Sequence, residues 1–436
     1  MEVDEQGKTT ALKAAQISLA DCLACSGCIT SAESVLVNAQ SSEKFIAMLA
    51  EKPHEEAPLV VSLSPQAVAS LATHFGLSLQ QTTRKLCAFF TEQFGAAAVL
   101  DETVGFEISV AQVTEDFLAR LEKAKTLDAK ARKQVLPLLA SECPGWVCYA
   151  EKTHPETLPN ICTAKSAMTI VAEMAKRHFG KQCIHASVQP CFDKKLEASR
   201  SDFRAEDGSE QDVDIVLATT EVIDLIGKRS VDFSALPELP LADLMARCTA
   251  KPFSDVERAA WAREDGPFVP ETLTSCGGGY LENAMRTACV RLFGVPVDDT
   301  EAVKITQVKG RNADLREYVL KVRDGEPLRF AFAYGFRNIQ NVVRKIKTGT
   351  CNYHFVEIMA CPHACVNGGG QIKPPKEVAP EVWLQRVKSV FDARPYAPVT
   401  EQRVKDVLAC YPDIQLHTVY HDRKDSKPAS LTQIKW

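Results

Sequence analysis

An α/β fold built on parallel sheets is predicted for this chain from three observations. Apolar, strand-like runs alternate with helix-period stretches along most of its length. Three cysteine-bearing motifs, around Cys143, Cys191 and the pair Cys361 and Cys365, each follow such a run directly. Near the N-terminus a polar stretch carries Cys22-x-x-Cys25-x-x-Cys28, with too little apolar material for a large core.

Taken in order, residues 1–56 are expected as a small cysteine-bearing unit. The run from Leu59 to Leu63 reads as a buried strand, and a helix follows with Ser64 as N-cap and Pro65 at its first position. Ala96 to Leu100, Val135 to Ala140, Ile184 to Val188, Val213 to Ala218 and Phe355 to Met359 read as further strands. Thr114 to Lys125 and Lys165 to Phe179 have helical periodicity. Residues 57–212 are therefore expected as one α/β lobe and 213–370 as a second. The second lobe carries the turn Gly277-Gly278-Gly279 opening a helix that ends near Phe293. A strand from Leu328 to Tyr334 and a helix near Arg337 to Lys347 follow it. Ser201 to Asp212 and Lys251 to Pro270 look like surface excursions, and residues 371–436 like a mostly helical tail ending in Trp436.

With 436 residues, 45% hydrophobic and 25% charged, the chain has the composition of a soluble globular protein of two or three domains. A net charge of −5 leaves no footprint for nucleic acid. No apolar run approaches the roughly 18 residues needed to cross a membrane. The first residues have neither the apolar core of a signal peptide nor the Arg-rich character of a transit peptide, so a cytosolic location is expected.

Sixteen cysteines in a reducing compartment do not make a disulfide framework. Cys87, Cys148, Cys162, Cys183, Cys248, Cys289, Cys351 and Cys410 lack ligand spacing and are expected as core residues. Cys143, Cys191, Cys361 and Cys365 supply the four thiolates that a cubane 4Fe–4S cluster takes. Loops from different strands meet at the carboxyl ends of a parallel sheet, so distant cysteines can converge there. Cys361 and Cys365 at i and i+4 are expected on one face of a helical turn. Gly368, Gly369 and Gly370 would let backbone pass close to a cluster. Cys22, Cys25 and Cys28 offer three thiolates within seven residues, the spacing of a second cluster loop. The paired CxxC signature of structural zinc is not matched outside that loop.

These motifs, in this order, resemble the cytosolic iron-only hydrogenase-like proteins, eukaryotic relatives of FeFe-hydrogenases. The resemblance runs from about Leu19 to Trp436. It rests on Asp21-Cys22-Leu23-Ala24-Cys25-Ser26-Gly27-Cys28, Ser62-Leu63-Ser64-Pro65-Gln66, Cys143-Pro144-Gly145-Trp146, Pro190-Cys191-Phe192-Asp193-Lys194-Lys195, Gly335-Phe336-Arg337-Asn338-Ile339-Gln340, and Cys361 through Gln371. It implies a two-lobed, FeFe-hydrogenase-like fold with parallel sheets flanked by helices, plus a small ferredoxin-like N-terminal cluster unit. It also implies two 4Fe–4S clusters: a peripheral one on Cys22, Cys25 and Cys28, and a buried one on Cys143, Cys191, Cys361 and Cys365. The implied role is in cytosolic iron–sulfur protein assembly, passing clusters from a scaffold to apoproteins through a WD40-containing targeting complex. A nuclear presence is implied beside the cytoplasmic one. Members bring a fourth N-terminal ligand from a cysteine upstream of the CxxCxxC loop, and none precedes Cys22 here. A truncated sequence or a mis-called start at Met1 is therefore expected, the alternative being a labile three-thiolate cluster.

The rival expectation is a working hydrogenase with a diiron subsite. Hydrogenases place a cysteine before the ligand matching Cys143 and a methionine before the Pro-Cys matching Pro190-Cys191. Here those positions hold Glu142 and Gln189, which argues against hydrogen chemistry, although Glu142 could carry protons. Lys194 and Met359 do match hydrogenase positions and are the expected cofactor-binding residues beside the cysteines. Lys194 and Glu197 read either as a solvated helix start or as pocket support. His363 is expected to point away from the ligands. Trp436 reads as packing on its own domain or as an aromatic anchor for a partner pocket, the family parallel being a tail that targeting machinery recognises.

Overall fold

The computed structural model describes residues 2–3, 9–10, 37, 40–51, 57–203, 211–246, 252–261, 277–308, 310, 312–323, 325–393 and 399–423. Cys22, Cys25, Cys28, Cys248 and Trp436 lie outside these residues, so the N-terminal cluster loop and the terminal anchor stay as sequence expectations.

After helix α1 (Ser42–Glu51) come strand β1 (Leu59–Leu63), helices α2 (Pro65–Phe75) and α3 (Leu79–Phe94), strand β2 (Ala98–Asp101) and the long helix α4 (Thr103–Lys125). Helix α5 (Ala129–Val135), strand β3 (Leu138–Ala140), helices α6 (Pro144–Thr153) and α7 (Ala167–Phe179), strand β4 (Ile184–Gln189) and the short helix α8 (Asp193–Ala198) follow. Strand β5 (Ile215–Ala218) leads into helices α9 (Thr219–Lys228), α10 (Leu241–Ala246), α11 (Asp255–Trp261) and α12 (Tyr280–Phe293). Strands β6 (Val303–Val308), β7 (Leu315–Val322) and β8 (Leu328–Tyr334) precede helix α13 (Phe336–Lys347) and strand β9 (Phe355–Met359). Helices α14 (Pro380–Asp392) and α15 (Glu401–Ala409) complete the order.

Two sheets organise these elements. One has the order β2-β1-β4-β5 and is parallel throughout. The other has the order β3-β9-β8-β7-β6 and is mixed: β3, β9 and β8 run parallel, whereas β7 and β6 are antiparallel additions. The expectation of parallel sheets therefore holds for the first and for half of the second. The sheets do not divide at 212/213. Strand β3, before that point, pairs in the second sheet, and β5, after it, pairs in the first. The long helix α4 joins them, with Val104 and Ile108 in one core and Val113 and Phe117 in another.

Local chemistry explains several boundaries. Ser64 accepts the Ala67 N–H and Pro65 opens α2, as expected, while Gly76 takes the left-handed conformation that closes it. The strand expected from Val135 begins only at Leu138, because α5 runs through Val135. Residues 252–261 are not a plain surface excursion: Phe253, Ala260 and Trp261 are buried, and Trp261 donates its indole N–H to Tyr411 at 2.9 Å. The described residues between 371 and 423 pack onto the same body. Trp383, Val387 and Phe391 enter the core of the mixed sheet, and Val404, Val407 and Tyr411 enter a core of the parallel one.

Candidate metal centre

Three chain segments carry the four dispersed cysteines away from the carboxyl ends of β3, β4 and β9. Cys143 is the N-cap residue of α6. Ser141 braces it, accepting the Cys143 N–H at 3.0 Å while its hydroxyl donates to the Ile358 carbonyl at 2.6 Å. The Ala360 N–H points at the Cys143 sulfur, 3.4 Å away, a contact that favours sulfur carrying negative charge. On the second arm the Gln189 carbonyl accepts from Thr219 at 3.2 Å and the Pro190 carbonyl from the Gly370 N–H at 3.0 Å. That last bond ties the Cys191 arm to the Cys361–Cys365 arm.

The third arm is not the helical turn expected from the i, i+4 spacing. His363 and Ala364 sit at φ +60° and +61°, and Cys365 lies in a short 3₁₀ turn (Ala364–Asn367). The Asp314 carboxylate holds this turn by accepting the His363 backbone N–H at 2.8 Å, while the half-exposed imidazole lies 3.8 Å from the same carboxylate. Glycine matters at two points here. A Cβ on Gly368 would lie 2.4 Å from the Pro190 carbonyl oxygen, and one on Gly370 would lie 3.2 Å from the Cys191 Cα.

Cys143 is buried and Cys191, Cys361 and Cys365 are half-buried, near enough for Cys191 and Cys365 to feel the charge of the others. Cys365 is pushed well above the ordinary thiol range by burial, then by the charges of Glu142, Cys143, Cys191 and Cys361. Burial likewise raises Cys191, helped by Asp193, Cys361 and Cys143, and lifts Cys143 to about 11. Such thiols become thiolates only beside a compensating cationic group. Among the described residues no group of three His, Cys, Asp or Glu side chains is placed to hold a single metal ion. Four converging thiols, glycine where a Cβ would collide and an N–H aimed at sulfur fit a larger iron–sulfur core instead.

Lys194 and Glu197 are not a solvated helix start: both are buried. The Lys194 ammonium lies 2.9 Å from the Glu197 carboxylate and 3.9 Å from that of Glu142, and donates to the Glu142 carbonyl at 3.0 Å. Burial opposes its charge, but Glu197 and Glu142 outweigh that and hold it protonated. Burial raises Glu142 to about 8 against the pull of Lys194, and its carboxylate lies 3.9 Å from the Cys365 sulfur. Met359, also buried, ends β9 two residues before Cys361 and packs under Gly277.

Sequence reading missed the polar support behind Cys191. Glu102, at the end of β2, is 1% exposed and accepts from Ser62 at 2.7 Å, Ser187 at 2.6 Å and the Gln189 amide at 2.8 Å. Gln189 is thereby bound into the parallel sheet. Glu357, in mid-strand β9, accepts the Leu281 N–H at 2.9 Å and the Tyr334 hydroxyl at 2.7 Å, capping α12. The alternation of Ser62 and Ser187 with apolar neighbours in otherwise buried strands was the one available signal for the first network. Of the cysteines expected as core, Cys87, Cys162, Cys183 and Cys289 are buried, whereas Cys148, Cys351 and Cys410 are half-buried.

This fold and four-thiol pocket define a protein of the iron-only hydrogenase type. Residues 57–369 match the family described as iron only hydrogenase large subunit, C-terminal domain. The fold superposes on FeFe-hydrogenase HydA1 from Chlamydomonas reinhardtii with a TM-score of 0.69 at 22% identity, covering 88% of this chain and 99% of that one, a likeness of fold. Mouse cytosolic iron-sulfur assembly component 3 is 40% identical over 100% of this chain and 90% of its own length. Cytosolic Fe-S cluster assembly factor narfl from Xenopus tropicalis is 38% identical over the same shares, and Protein NAR1 from Arabidopsis thaliana is 36% identical over 94% and 87%. The chain belongs to this iron-only hydrogenase-like family, in the branch whose members bear those names.

Proposed function

We propose that this chain is a cytosolic iron–sulfur assembly factor that passes 4Fe–4S clusters from a scaffold to recipient apoproteins. The observation that carries the reading is that three strands deliver Cys143, Cys191 and the Cys361–Cys365 turn to one place, where the Gly370 N–H donates to the Pro190 carbonyl at 3.0 Å and the Ala360 N–H points at the Cys143 sulfur at 3.4 Å. The relatives' names, cytosolic assembly factors in animals among them, support the cytosolic role. Those four cysteines would hold one 4Fe–4S cluster; Cys22, Cys25 and Cys28 would hold a second, exposed one. Lys194 and Met359 would line the buried centre, with Lys194 neutralising part of its negative charge. A bound cluster supplies one-electron chemistry and a structural cross-link. The protein residues fix the sulfurs and exclude water.

Docking to a scaffold and to a WD40-containing targeting complex, the latter through Trp436, completes the proposal, with a nuclear pool beside the cytosolic one. Hydrogenase activity is not part of it. Gln189 is committed to Glu102, and Glu142 occupies the position where hydrogenases carry a cysteine.

One observation favours the hydrogenase alternative: Glu142, at about 8, holds a proton near neutral pH within 3.9 Å of Cys365. Anaerobic reconstitution with counts of iron and sulfide, EPR and a hydrogen-evolution assay separates the two readings. About eight irons per chain without hydrogen supports the assembly factor. Hydrogen turnover overturns it. Deleting Trp436 should abolish pull-down of the targeting complex, and undiminished capture would remove the tail from the proposal.

A further inference from the structure

Cys143 caps the start of α6, and Glu151 stands in the last turn of the same helix. Cys191 precedes α8 by two residues, and Arg200 follows that helix by two. Each of two candidate ligands thus opens a short helix, and the far ends of those helices meet. Arg200 donates through both terminal nitrogens to Glu151, at 3.0 and 3.2 Å, a fork-to-carboxylate pair with fixed geometry. Glu151 is 1% exposed and Arg200 half-buried.

A third segment closes over it. Residues 416–423 are extended and run alongside residues 162–165. The Lys165 N–H donates to the Leu416 carbonyl and the Thr418 N–H to the Thr163 carbonyl, each at 2.8 Å. The Tyr420 hydroxyl donates to the Cys162 carbonyl at 2.8 Å. From there the segment reaches both members of the pair. Arg200 donates to the Val419 carbonyl at 2.9 Å, the His421 N–H donates to the Glu151 carboxylate at 3.0 Å, and the Arg423 N–H to the Glu151 carbonyl at 2.9 Å. Beneath it lies a cavity of about 40 Å³ whose walls include Thr418 and Tyr420 on one side and Glu142 and Pro144, which flank Cys143, on the other. That volume holds water but not a larger ligand.

We propose that Glu151 and Arg200 are positioning residues for the four-cysteine centre, and that residues 416–423 form a strap locking them. The inference rests on the reading that Cys143 and Cys191 share one cluster. A shared cluster fixes the spacing of the two helix starts, the helices carry that spacing to Glu151 and Arg200, and the strap binds only the paired arrangement. Coupling of this kind is reciprocal: if the strap steadies the centre, loading the centre must order the strap by the same free energy. The strap leads in sequence toward Trp436, so occupancy of the centre would be reported to the segment proposed to dock.

The test uses the full chain with Cys22→Ser, Cys25→Ser and Cys28→Ser, so that only the four-cysteine centre loads with ferrous iron and sulfide. Hydrogen exchange is measured at residues 416–423, empty and loaded. Loading should slow exchange of the Thr418, His421 and Arg423 amides by about 5- to 150-fold, the range of ordinary coupling energies. His421→Pro removes one N–H to Glu151, and Arg200→Lys removes the fork. Each should speed iron loss to a chelator by about tenfold and lower the denaturation midpoint of the loaded chain more than that of the empty one. Equal strap exchange in both states overturns the inference. So do variants that lower the midpoints of both forms equally without changing the rate of iron loss. If the chain with the three serines retains no iron, the four-cysteine reading itself has failed, which separates that outcome from a failure of the strap.

Discussion

Lys194 is the residue on which the charge balance of the pocket turns. It is buried between Glu142 and Glu197, and removing it leaves the buried Glu197 carboxylate without its cation. Lys194→Met should cost about 3–5 kcal/mol in urea unfolding of the empty chain at pH 7. An unchanged urea midpoint would show that the carboxylate finds another partner. His185 makes a separate prediction. Burial, reinforced by Lys176, lowers its imidazole to about 3, and its Nε2 lies 3.1 Å from the Ser62 hydroxyl. The unfolded chain takes up this proton near pH 6.5 and the folded one does not, so stability falls as pH drops below 6.5. Between pH 6 and pH 4 His185 contributes about 1.4 kcal/mol of loss per pH unit. His185→Asn should flatten the pH dependence of the unfolding free energy by that amount. The His185 partner set was not legible in the sequence, because Glu102, Ser62 and His185 belong to three different strands or strand ends.

At the scale of elements, the arms hold the centre by close backbone approach. Gly368→Ala would place a methyl 2.4 Å from the Pro190 carbonyl oxygen and force the Cys191 arm away from the Cys365 turn. We expect about 1–3 kcal/mol of lost stability together with weakened visible absorbance of the reconstituted centre; normal absorbance would mean that the arms adjust freely. Strands β1, β4, β8 and β9 were legible because they are short stretches rich in apolar residues and almost wholly buried. The antiparallel β6 was not, since five of its six residues are exposed and no apolar period marks them. The i, i+4 spacing of Cys361 and Cys365 misled for a different reason. Asp314, from the loop before β7, stabilises a left-handed turn that local spacing cannot reveal.

For the whole molecule, the proposed centre would couple loading to folding. The buried centre ties arms from both sheets, and binding energy at such a site is folding energy. Anaerobic thermal unfolding of the loaded chain should show a large loss of midpoint for Cys361→Ala or Cys365→Ala and a small one for Cys25→Ala. Equal losses would contradict the division into a structural and a transferable cluster. Two further ties act at this scale. Helix α14 buries Trp383 against the mixed-sheet core, and α15 brings Tyr411 to Trp261 and to Glu257 at 2.9 Å. The described residues between 371 and 423 thus belong to the body of the fold, where the sequence predicted a mostly helical tail.

By itself the sequence determined the α/β class, the strands that precede each cysteine motif and the family, because these depend on local pattern and on long ordered motifs. Tertiary structure decided the rest: which sheet each strand joins, the left-handed turn at His363, the burial of Lys194 between two carboxylates and the Glu102, Glu357 and Glu151 networks. Each of those is settled by a partner tens to hundreds of residues away, and pairing at that range is set by packing rather than by any periodicity in the chain.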